Sequence, residues 1–108
     1  MKSFDIFITH VSWGSGGKPR PVLVLLISND IISVYPITTR YANKSETIKA
    51  RYFKIIDWSQ AGLDNQSYID TGILLNLPIS VIDNKMAIGQ LSVEDKKRLL
   101  AFLTSTIP

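Results

Sequence analysis

The sequence predicts a small, mainly β domain, either a barrel or a sandwich, that ends in one amphipathic helix. Short apolar runs rich in Val and Ile follow one another closely, and clusters of Gly, Asn, Asp and Ser separate them. Near the C-terminal end, apolar positions instead recur at helical spacing. A chain of 108 residues is the size of one domain that can bury its own core, so we expect a single domain over residues 1–108.

The predicted strands begin with residues 4–10, where apolar and polar positions alternate. The second strand, residues 20–27, contains the longest apolar run of the chain. The turn residues 28–30 are short enough to join it to a third strand, residues 31–37, as a hairpin. Further strands are expected over residues 47–56, 67–69, 72–77 and 86–91, and one helical turn over residues 57–63, stopped by Gly62.

The C-terminal helix is predicted to begin at Ser92, a typical N-cap residue. Acidic side chains follow in the first turn, where the helix dipole favours them. The apolar positions are Val93, Leu99, Leu100 and Leu103. This stripe is typical of a helix that packs on a core or on a second subunit.

Composition narrows the functional classes. The chain has no cysteine, which excludes disulfides and thiolate metal sites and fits a reducing cytoplasm. We expect no signal peptide and no membrane span, since no apolar run approaches about 20 residues. The chain is therefore predicted to be cytoplasmic.

Charge is distributed unevenly along the chain. The net charge is +3. Residues 18–54 contain seven Lys or Arg and two acids, whereas residues 55–84 contain four Asp and no Lys or Arg. A basic block of this kind indicates a polyanionic partner. The alternative is that its charges lie on several faces and cancel.

Few catalytic arrangements fit the residues present. His10 is the only histidine, the Gly-rich residues 13–17 lack the ending of a P-loop, and no Gly-x-Ser-x-Gly elbow occurs. Arginine is the remaining resource, and its planar guanidinium suits a phosphodiester that gains charge in the transition state. Arg20 stands where the Gly-rich loop meets a strand, and Thr38 and Thr39 end another strand. RNA cleavage by its own 2′-hydroxyl requires only such groups, with no metal or other cofactor. The alternative is that Arg20 is a solvated residue at a strand end.

Several segments, taken in order, resemble the MazF/PemK toxins of bacterial type II toxin–antitoxin systems. They are Asp5-Ile6-Phe7, the Gly-rich loop, Lys18-Pro19-Arg20-Pro21-Val22-Leu23-Val24, Pro36-Ile37-Thr38, Gly62-Leu63, Ser67-Tyr68-Ile69, and Ile88-Gly89-Gln90-Leu91 before the helix. The resemblance covers nearly the whole chain.

The resemblance implies an SH3-like β-barrel with a C-terminal helix, acting as a homodimer. It implies sequence-specific, metal-independent cleavage of single-stranded RNA that leaves a cyclic phosphate and a 5′-hydroxyl, and it implies a cognate antitoxin protein as partner. Arg20 matches the catalytic arginine, which stabilises charge and passes a proton, and Thr38 matches the threonine that orients the scissile phosphate. The residues in matching or adjacent segments, expected to contact RNA, are Lys18, Thr39, Arg40 and Ser67.

The sequence departs from the family pattern at several positions. Asn76 stands where some members have a catalytic acid, Phe4 replaces a common glycine, and His10 precedes the loop instead of lying within it. Asp70 is a substitute candidate for the acid. Two other functions stay open: a CcdB-type gyrase poison, although the C-terminal end of this chain lacks the expected aromatic residue, and a non-catalytic barrel that binds nucleic acid or protein.

Overall fold

The computed structural model describes residues 1–10, 19–82 and 86–105. We number the strands and helices in chain order: β1 (Asp5–His10), β2 (Pro19–Ser28), β3 (Ile31–Thr38), α1 (Glu46–Lys49), β4 (Tyr52–Ile55), β5 (Ser67–Asp70), β6 (Leu75–Pro78), β7 (Gly89–Gln90) and α2 (Val93–Ser105). A 3-10 turn over Ile79–Val81 follows β6. The predicted fold, mainly β with one C-terminal helix, is confirmed.

The strands form one curled antiparallel sheet in the order β4-β5-β3-β2-β1-β7, and β6 also pairs with β3. Strand β3 organises the sheet because its two halves have different neighbours along one edge. Its first half pairs with β6 over Ile31–Val34, and its end pairs with β5 at Ile37 and Thr38. The sheet therefore curls into a half-barrel around β3.

The central hairpin forms as the turn residues predict. Ser28 pairs with Ile31, which leaves Asn29 and Asp30 as a two-residue loop. Asn29 has a φ of 54°, a left-handed conformation that asparagine tolerates better than most residues. A register shift between Val24 and Leu26 marks a bulge, which adds curvature to the sheet.

The curled sheet has a core on each face. On the face that α2 covers, called here the helix face, the buried residues include Ile6, Leu23, Ile37, Ile69 and Leu99. On the opposite face, called the cleft face, the core contains Phe7, Val22, Val24, Ile32, Val34 and Ile82, and residues of β6 and the 3-10 turn pack against it. These covering residues lie over one half of the cleft face and leave the half nearest the ends of β2 and β3 accessible.

Helix α2 begins as predicted, because the Ser92 hydroxyl accepts a hydrogen bond from the Asp95 amide at 3.1 Å. The predicted apolar stripe is partly wrong. Leu99 is buried, but Val93 is 63% and Leu100 is 51% exposed. The helix turns Asp95 toward the core instead, where its carboxylate accepts the backbone amides of Ile56 and Asp57 at 3.2 and 2.8 Å.

Three other segment predictions need correction, and the predicted helical turn over 57–63 is confirmed. The predicted strand 47–56 contains the short helix α1 and then β4, because the Ser45 hydroxyl caps α1 by accepting from the Ile48 amide at 3.3 Å. Within residues 57–63 the Ala61 amide donates to the Asp57 carbonyl at 3.1 Å, which closes one helical turn, and Gly62 ends that turn with a φ of 86°. Predicted strands 72–77 and 86–91 shrink to β6 and β7. Within the described ranges, none of the helices is long and apolar enough to cross a membrane.

Candidate nucleic-acid cleft

Arg20 and Thr38 lie on the same side of the sheet and line the same cleft. The β2–β3 ladder ends at the pair Val22–Pro36, and each of the two residues stands two positions beyond that pair on its own strand. Thr38 in turn pairs with Tyr68 on β5, and Tyr68 pairs with Lys54 on β4. Arg20, Thr38, Tyr68 and Lys54 therefore form one row across four strands of the cleft face.

A cleft of about 280 Å³ opens beside this row. Its walls carry four cations, Arg20, Arg40, Lys44 and Arg51, and one carboxylate, Asp70; the other lining residues are Pro36, Ile37, Thr38, Ile48, Tyr52 and Ile73. The lining side chains thus have an excess of three positive charges. Such a concave, cationic surface is suited to a polyanion.

Thr38 is the last residue of β3, and its hydroxyl organises the turn that follows. The hydroxyl oxygen accepts a hydrogen bond from the Arg40 amide at 3.1 Å. A threonine hydroxyl that accepts one bond can still donate its own proton, so Thr38 retains a donor for an anion in the cleft. Arg40, two residues further along, is exposed at the rim.

An ion pair between the buried Asp70 and the partly exposed Arg51 forms another wall of the cleft. Asp70, 5% exposed, accepts from the Nε of Arg51 at 3.0 Å and from a terminal guanidinium nitrogen at 3.3 Å. It also accepts from the Gly72 amide at 3.0 Å. The Thr71 hydroxyl and amide donate to the Arg51 carbonyl at 2.6 and 3.0 Å. Both the backbone and the side chain of Arg51 are therefore fixed.

Three half-buried tyrosines adjoin this wall. The rings of Tyr41 and Tyr68 are stacked, with centroids 4.4 Å apart and planes 9° from parallel. Tyr52 lies 6.1 Å from Tyr41 and 6.4 Å from Tyr68. Burial raises the pKa of the Tyr52 phenol and the Asp70 carboxylate raises it further, while Arg51 opposes the shift. The Tyr52 phenol therefore stays protonated at neutral pH and can act as a hydrogen-bond donor.

Two further cavities adjoin the cleft near the start of β2 and the end of β3. The first, about 150 Å³, shares Arg20, Ile37, Thr38 and Arg40 with the main cleft and adds Pro19, Pro21, Thr39 and Ser67. The second, about 360 Å³, has a mainly apolar lining and shares Pro21, Thr39 and Ser67 with the first. Neighbouring cavities thus share lining residues, and together they make up a depression around this end of the sheet, in which Ile8 and Pro21 of the last cavity belong to the helix face.

The predicted site residues have different positions in this depression. Arg20, Thr38 and Arg40 come together in the main cleft, while Thr39 and Ser67 line only the adjoining cavities. Ser67 is 2% exposed, and its hydroxyl donates to the Asn65 carbonyl at 2.9 Å. Lys18 lies outside the described residues.

Of the three remaining candidate residues, Asp70 lines the cleft, whereas Asn76 and His10 do not. Asp70 lines it, but Arg51 engages both of its carboxylate oxygens. Asn76 pairs with Ser33, and its side-chain oxygen accepts from the Ser33 hydroxyl at 2.7 Å, away from the cleft. His10 pairs with Pro19 at the end of β1. Among the residues that the structure describes, no three His, Cys, Asp or Glu are grouped as metal ligands.

Three cleft residues, Lys44, Arg51 and Tyr52, are not among the site residues predicted from the sequence, and neither is the adjoining Tyr41. A signal for them exists, because residues 40–54 interleave basic side chains with two tyrosines. That pattern is typical of surfaces that bind unpaired nucleic acid. The predicted strand over 47–56 concealed it, since the turn of α1 is what brings Arg51 and Lys44 to the same wall.

The fold and this cleft define a class of protein, the small half-barrels with a cationic groove at the ends of their central strands. Among solved structures, the chain is similar to the Mycobacterium tuberculosis toxin MazF-mt6, with a TM-score of 0.68 and 21% sequence identity. The similarity covers 94% of this chain and 93% of the toxin. No protein-family model and no curated protein sequence matches the chain. The resemblance to MazF toxins is thus confirmed at the level of the fold.

Proposed function

We propose that this protein is the toxin of a type II toxin–antitoxin system and that it cleaves single-stranded RNA at a specific sequence. The observation that carries the proposal is that Arg20 and Thr38, on adjacent strands of a MazF-like fold, line one cleft with an excess of positive charge. A permanent planar cation beside a hydroxyl donor provides two groups that recognise a phosphodiester.

In the proposed reaction the substrate supplies its own nucleophile. The 2′-oxygen of the nucleotide before the cut attacks the phosphorus and loses its proton, and the bond from phosphorus to the 5′-oxygen breaks. The leaving oxygen takes up a proton, so the products are a cyclic phosphate and a 5′-hydroxyl. Arg20 stabilises the charge that grows on the phosphoryl oxygens, and Thr38 orients the phosphate. No metal ion takes part.

The other cleft residues bind the strand on either side of the cut. Arg40 and Lys44 contact phosphates at the rim of the main cleft. Thr39 and Ser67 contact the nucleotide in the adjoining cavities, and Lys18 contacts RNA from the segment before β2. We also propose that the protein works as a cytoplasmic homodimer. An antitoxin protein with an acidic, flexible segment occupies the same cationic cleft and blocks Arg20.

The test is expression in bacteria followed by mapping of RNA 5′ ends. We expect growth arrest and cuts at one short sequence, with cyclic phosphate termini and with activity that persists in excess chelator. Arg20→Ala and Arg20→Lys are both expected to lose cleavage, because lysine keeps the charge but not the bidentate geometry. Lys97→Ala is the matched control, since this exposed cation lies on α2 and does not line the cleft.

Intact RNA with the folded wild-type protein would contradict the proposal. The alternative of a gyrase poison is tested by adding the purified protein to a DNA supercoiling reaction with gyrase. Inhibition of supercoiling would indicate a gyrase poison. RNA binding without cleavage in either assay would indicate a non-catalytic barrel. Rescue of growth by co-expression of a neighbouring small acidic reading frame would identify the antitoxin.

A further inference from the structure

We propose that Tyr41, Tyr52 and Tyr68 form a stacking platform for one unpaired base of the RNA strand, next to the phosphate bound in the cleft. The juxtaposition of three clustered tyrosines with the cationic wall of Arg51, Lys44 and Lys49 points to it. This inference rests on the proposed function and adds to it the part of the nucleotide that the tyrosines recognise.

The cluster is continuous with the cleft. Tyr68 belongs to the row that contains Thr38 and Lys54 on the cleft face. Tyr52 itself lines the cleft and pairs across the strands with Asp70, the partner of Arg51. A nucleotide whose phosphate lies between Arg20 and Thr38 therefore has an adjacent base within reach of the tyrosine rings.

Tyr41 is the member that the sheet does not require. Tyr52 and Tyr68 are diagonal neighbours on β4 and β5, and such aromatic pairs commonly stabilise a sheet. Tyr41 comes instead from the loop between β3 and α1, yet its ring lies parallel to Tyr68 at 4.4 Å. A half-exposed tyrosine in a loop, stacked beside a cationic cleft, has the arrangement by which proteins bind the faces of unpaired bases.

Lys49 supplies a second observation. Its ammonium lies over the Tyr41 ring, 5.0 Å from the centroid, in a cation–π contact. Its only carboxylate contact given by the structure is with Glu46 at 3.8 Å, and the Glu46 side chain is 93% exposed. A base that stacks on Tyr41 takes the place of this ammonium, which then contacts the adjoining phosphate. The Lys49 side chain is 22% exposed, so its cation–π contact is partly desolvated and comparable in strength to base stacking, and the new contact between the ammonium and the phosphate favours the exchange.

The experiment separates base contacts from phosphate contacts. Two fluorescent 2′-O-methylated probes of equal length are used, a random-sequence pool and a strand of the same phosphates without bases. Neither has a free 2′-hydroxyl, so the proposed reaction cannot cleave them. Affinities are measured by anisotropy for the wild type, Tyr41→Leu, Tyr41→Phe and Arg40→Ala.

We expect Tyr41→Leu to bind the base-containing pool about 5- to 150-fold more weakly than the wild type, which is the range of a lost base–aromatic stack. Its affinity for the abasic strand is expected to equal that of the wild type. Tyr41→Phe keeps the ring and is expected to keep the preference for the pool. Arg40→Ala is expected to weaken both probes alike. Thermal unfolding of each variant verifies that the fold is intact.

Equal affinity of the wild type for the two probes would overturn the platform, as would equal weakening of both by Tyr41→Leu. These outcomes are independent of the cleavage test. A protein that prefers the pool through Tyr41 but leaves all RNA intact would refute the ribonuclease and retain the platform. If the wild type cleaves RNA but Tyr41→Leu binds both probes as tightly as the wild type does, the ribonuclease is retained and the platform is refuted.

Discussion

Arg51 and Asp70 face each other across the wall of the cleft, with the guanidinium Nε 3.0 Å from one carboxylate oxygen and a terminal nitrogen 3.3 Å from the other. The Asp70 side chain is 7% exposed and that of Arg51 is 41% exposed, so the pair is anchored in the protein and open toward the cleft. A bidentate pair of this geometry holds the guanidinium in one orientation. In the proposed site, Asp70 therefore has two opposed effects: it fixes the Arg51 guanidinium, and it lowers the net positive charge of the cleft.

Asp70→Asn is therefore expected to separate binding from catalysis. The cleft gains one net positive charge, because the carboxylate is replaced by a neutral amide of the same shape. We expect RNA binding to tighten at low salt and its dependence on salt to steepen by about 0.7 in log–log slope, the value of one further phosphate contact. Cleavage is expected to slow by roughly tenfold or more, since Arg51 loses its fixed orientation.

The comparison that decides the role of Asp70 is with Arg51→Ala and with the double variant. If Asp70 only positions Arg51, the cleavage rates of the two single variants and of the double variant agree within about threefold, since residues in one network are not additive. If Asp70 itself transfers a proton, Asp70→Asn loses about 100-fold or more while Arg51→Ala does not. Single-turnover cleavage rates at saturating protein measure this directly.

Gly72→Ala is expected to reproduce these effects by a different route. A Cβ at this position would lie 2.3 Å from the Arg51 Cδ and 2.6 Å from its Nε, so the arginine must shift from its present position, and we expect its contact with Asp70 to be lost. We expect the free energy of unfolding to fall by about 1–3 kcal/mol, as for other overpacked sites. Urea denaturation measures this value.

The control for Gly72→Ala is the same substitution in Arg51→Ala, which has no side chain to displace. In the Arg51→Ala background, Gly72→Ala is expected to cause no further fall in the free energy of unfolding. An unchanged loss in that background would mean that Gly72 is required by its backbone and not by the arginine above it.

Much of the fold can be predicted from the sequence, because at several elements the local residue preferences agree with the packing of the folded protein. The apolar run over residues 20–27, the turn at Asn29 and the N-cap at Ser92 each act over a few residues, and each is found where it is predicted. The strand over 47–56 was mispredicted because its β-branched residues outweighed the capping hydroxyl of Ser45. Val93 and Leu100 were mispredicted because the buried carboxylate of Asp95 decides the orientation of α2.

The site was less predictable than the fold. Arg20 and Thr38 could be proposed, since each ends an apolar strand, although only the structure shows that they line the same cleft. Asp70 and Arg51 are 19 residues apart, and nothing local links them. The stacked pair of Tyr41 and Tyr68 likewise depends on a loop that follows β3 and a strand that pairs with its end. Contacts of this kind arise from topology, which sequence periodicity does not contain.

Asp95→Ala is expected to cost about 3–5 kcal/mol of unfolding free energy, the usual effect of removing one partner from a buried charged network. Asp95 is fully buried, and its carboxylate accepts from the amides of Ile56 and Asp57 and from the Arg98 guanidinium at 2.6 Å. The substitution leaves the two amides without an acceptor and detaches α2 from the end of β4.

The neighbouring Glu94→Ala is the matched control, because that side chain is 66% exposed and its contact with Lys97 is 3.8 Å long. We expect it to change the free energy by less than about 1 kcal/mol. Similar losses from both variants would contradict the structural role of Asp95.

Alkaline pH is expected to destabilise the protein through two tyrosines. Burial raises the pKa of Tyr35, and burial together with Asp70 raises that of Tyr52, above the value of 10.0 that both have in an unfolded chain. Between the unfolded and folded pKa values, the unfolded chain has already lost these protons while the folded protein keeps them. The contribution of these two tyrosines to the free energy of unfolding is therefore constant below about pH 10 and falls as the pH rises further, by at most about 1.4 kcal/mol per pH unit for each group. Urea midpoints measured across this pH range follow the loss of stability, and phenolate absorbance follows the deprotonation of the tyrosines. In the double variant Tyr35→Phe, Tyr52→Phe this decline is expected to flatten, and an equally steep decline would assign the alkaline loss to other groups.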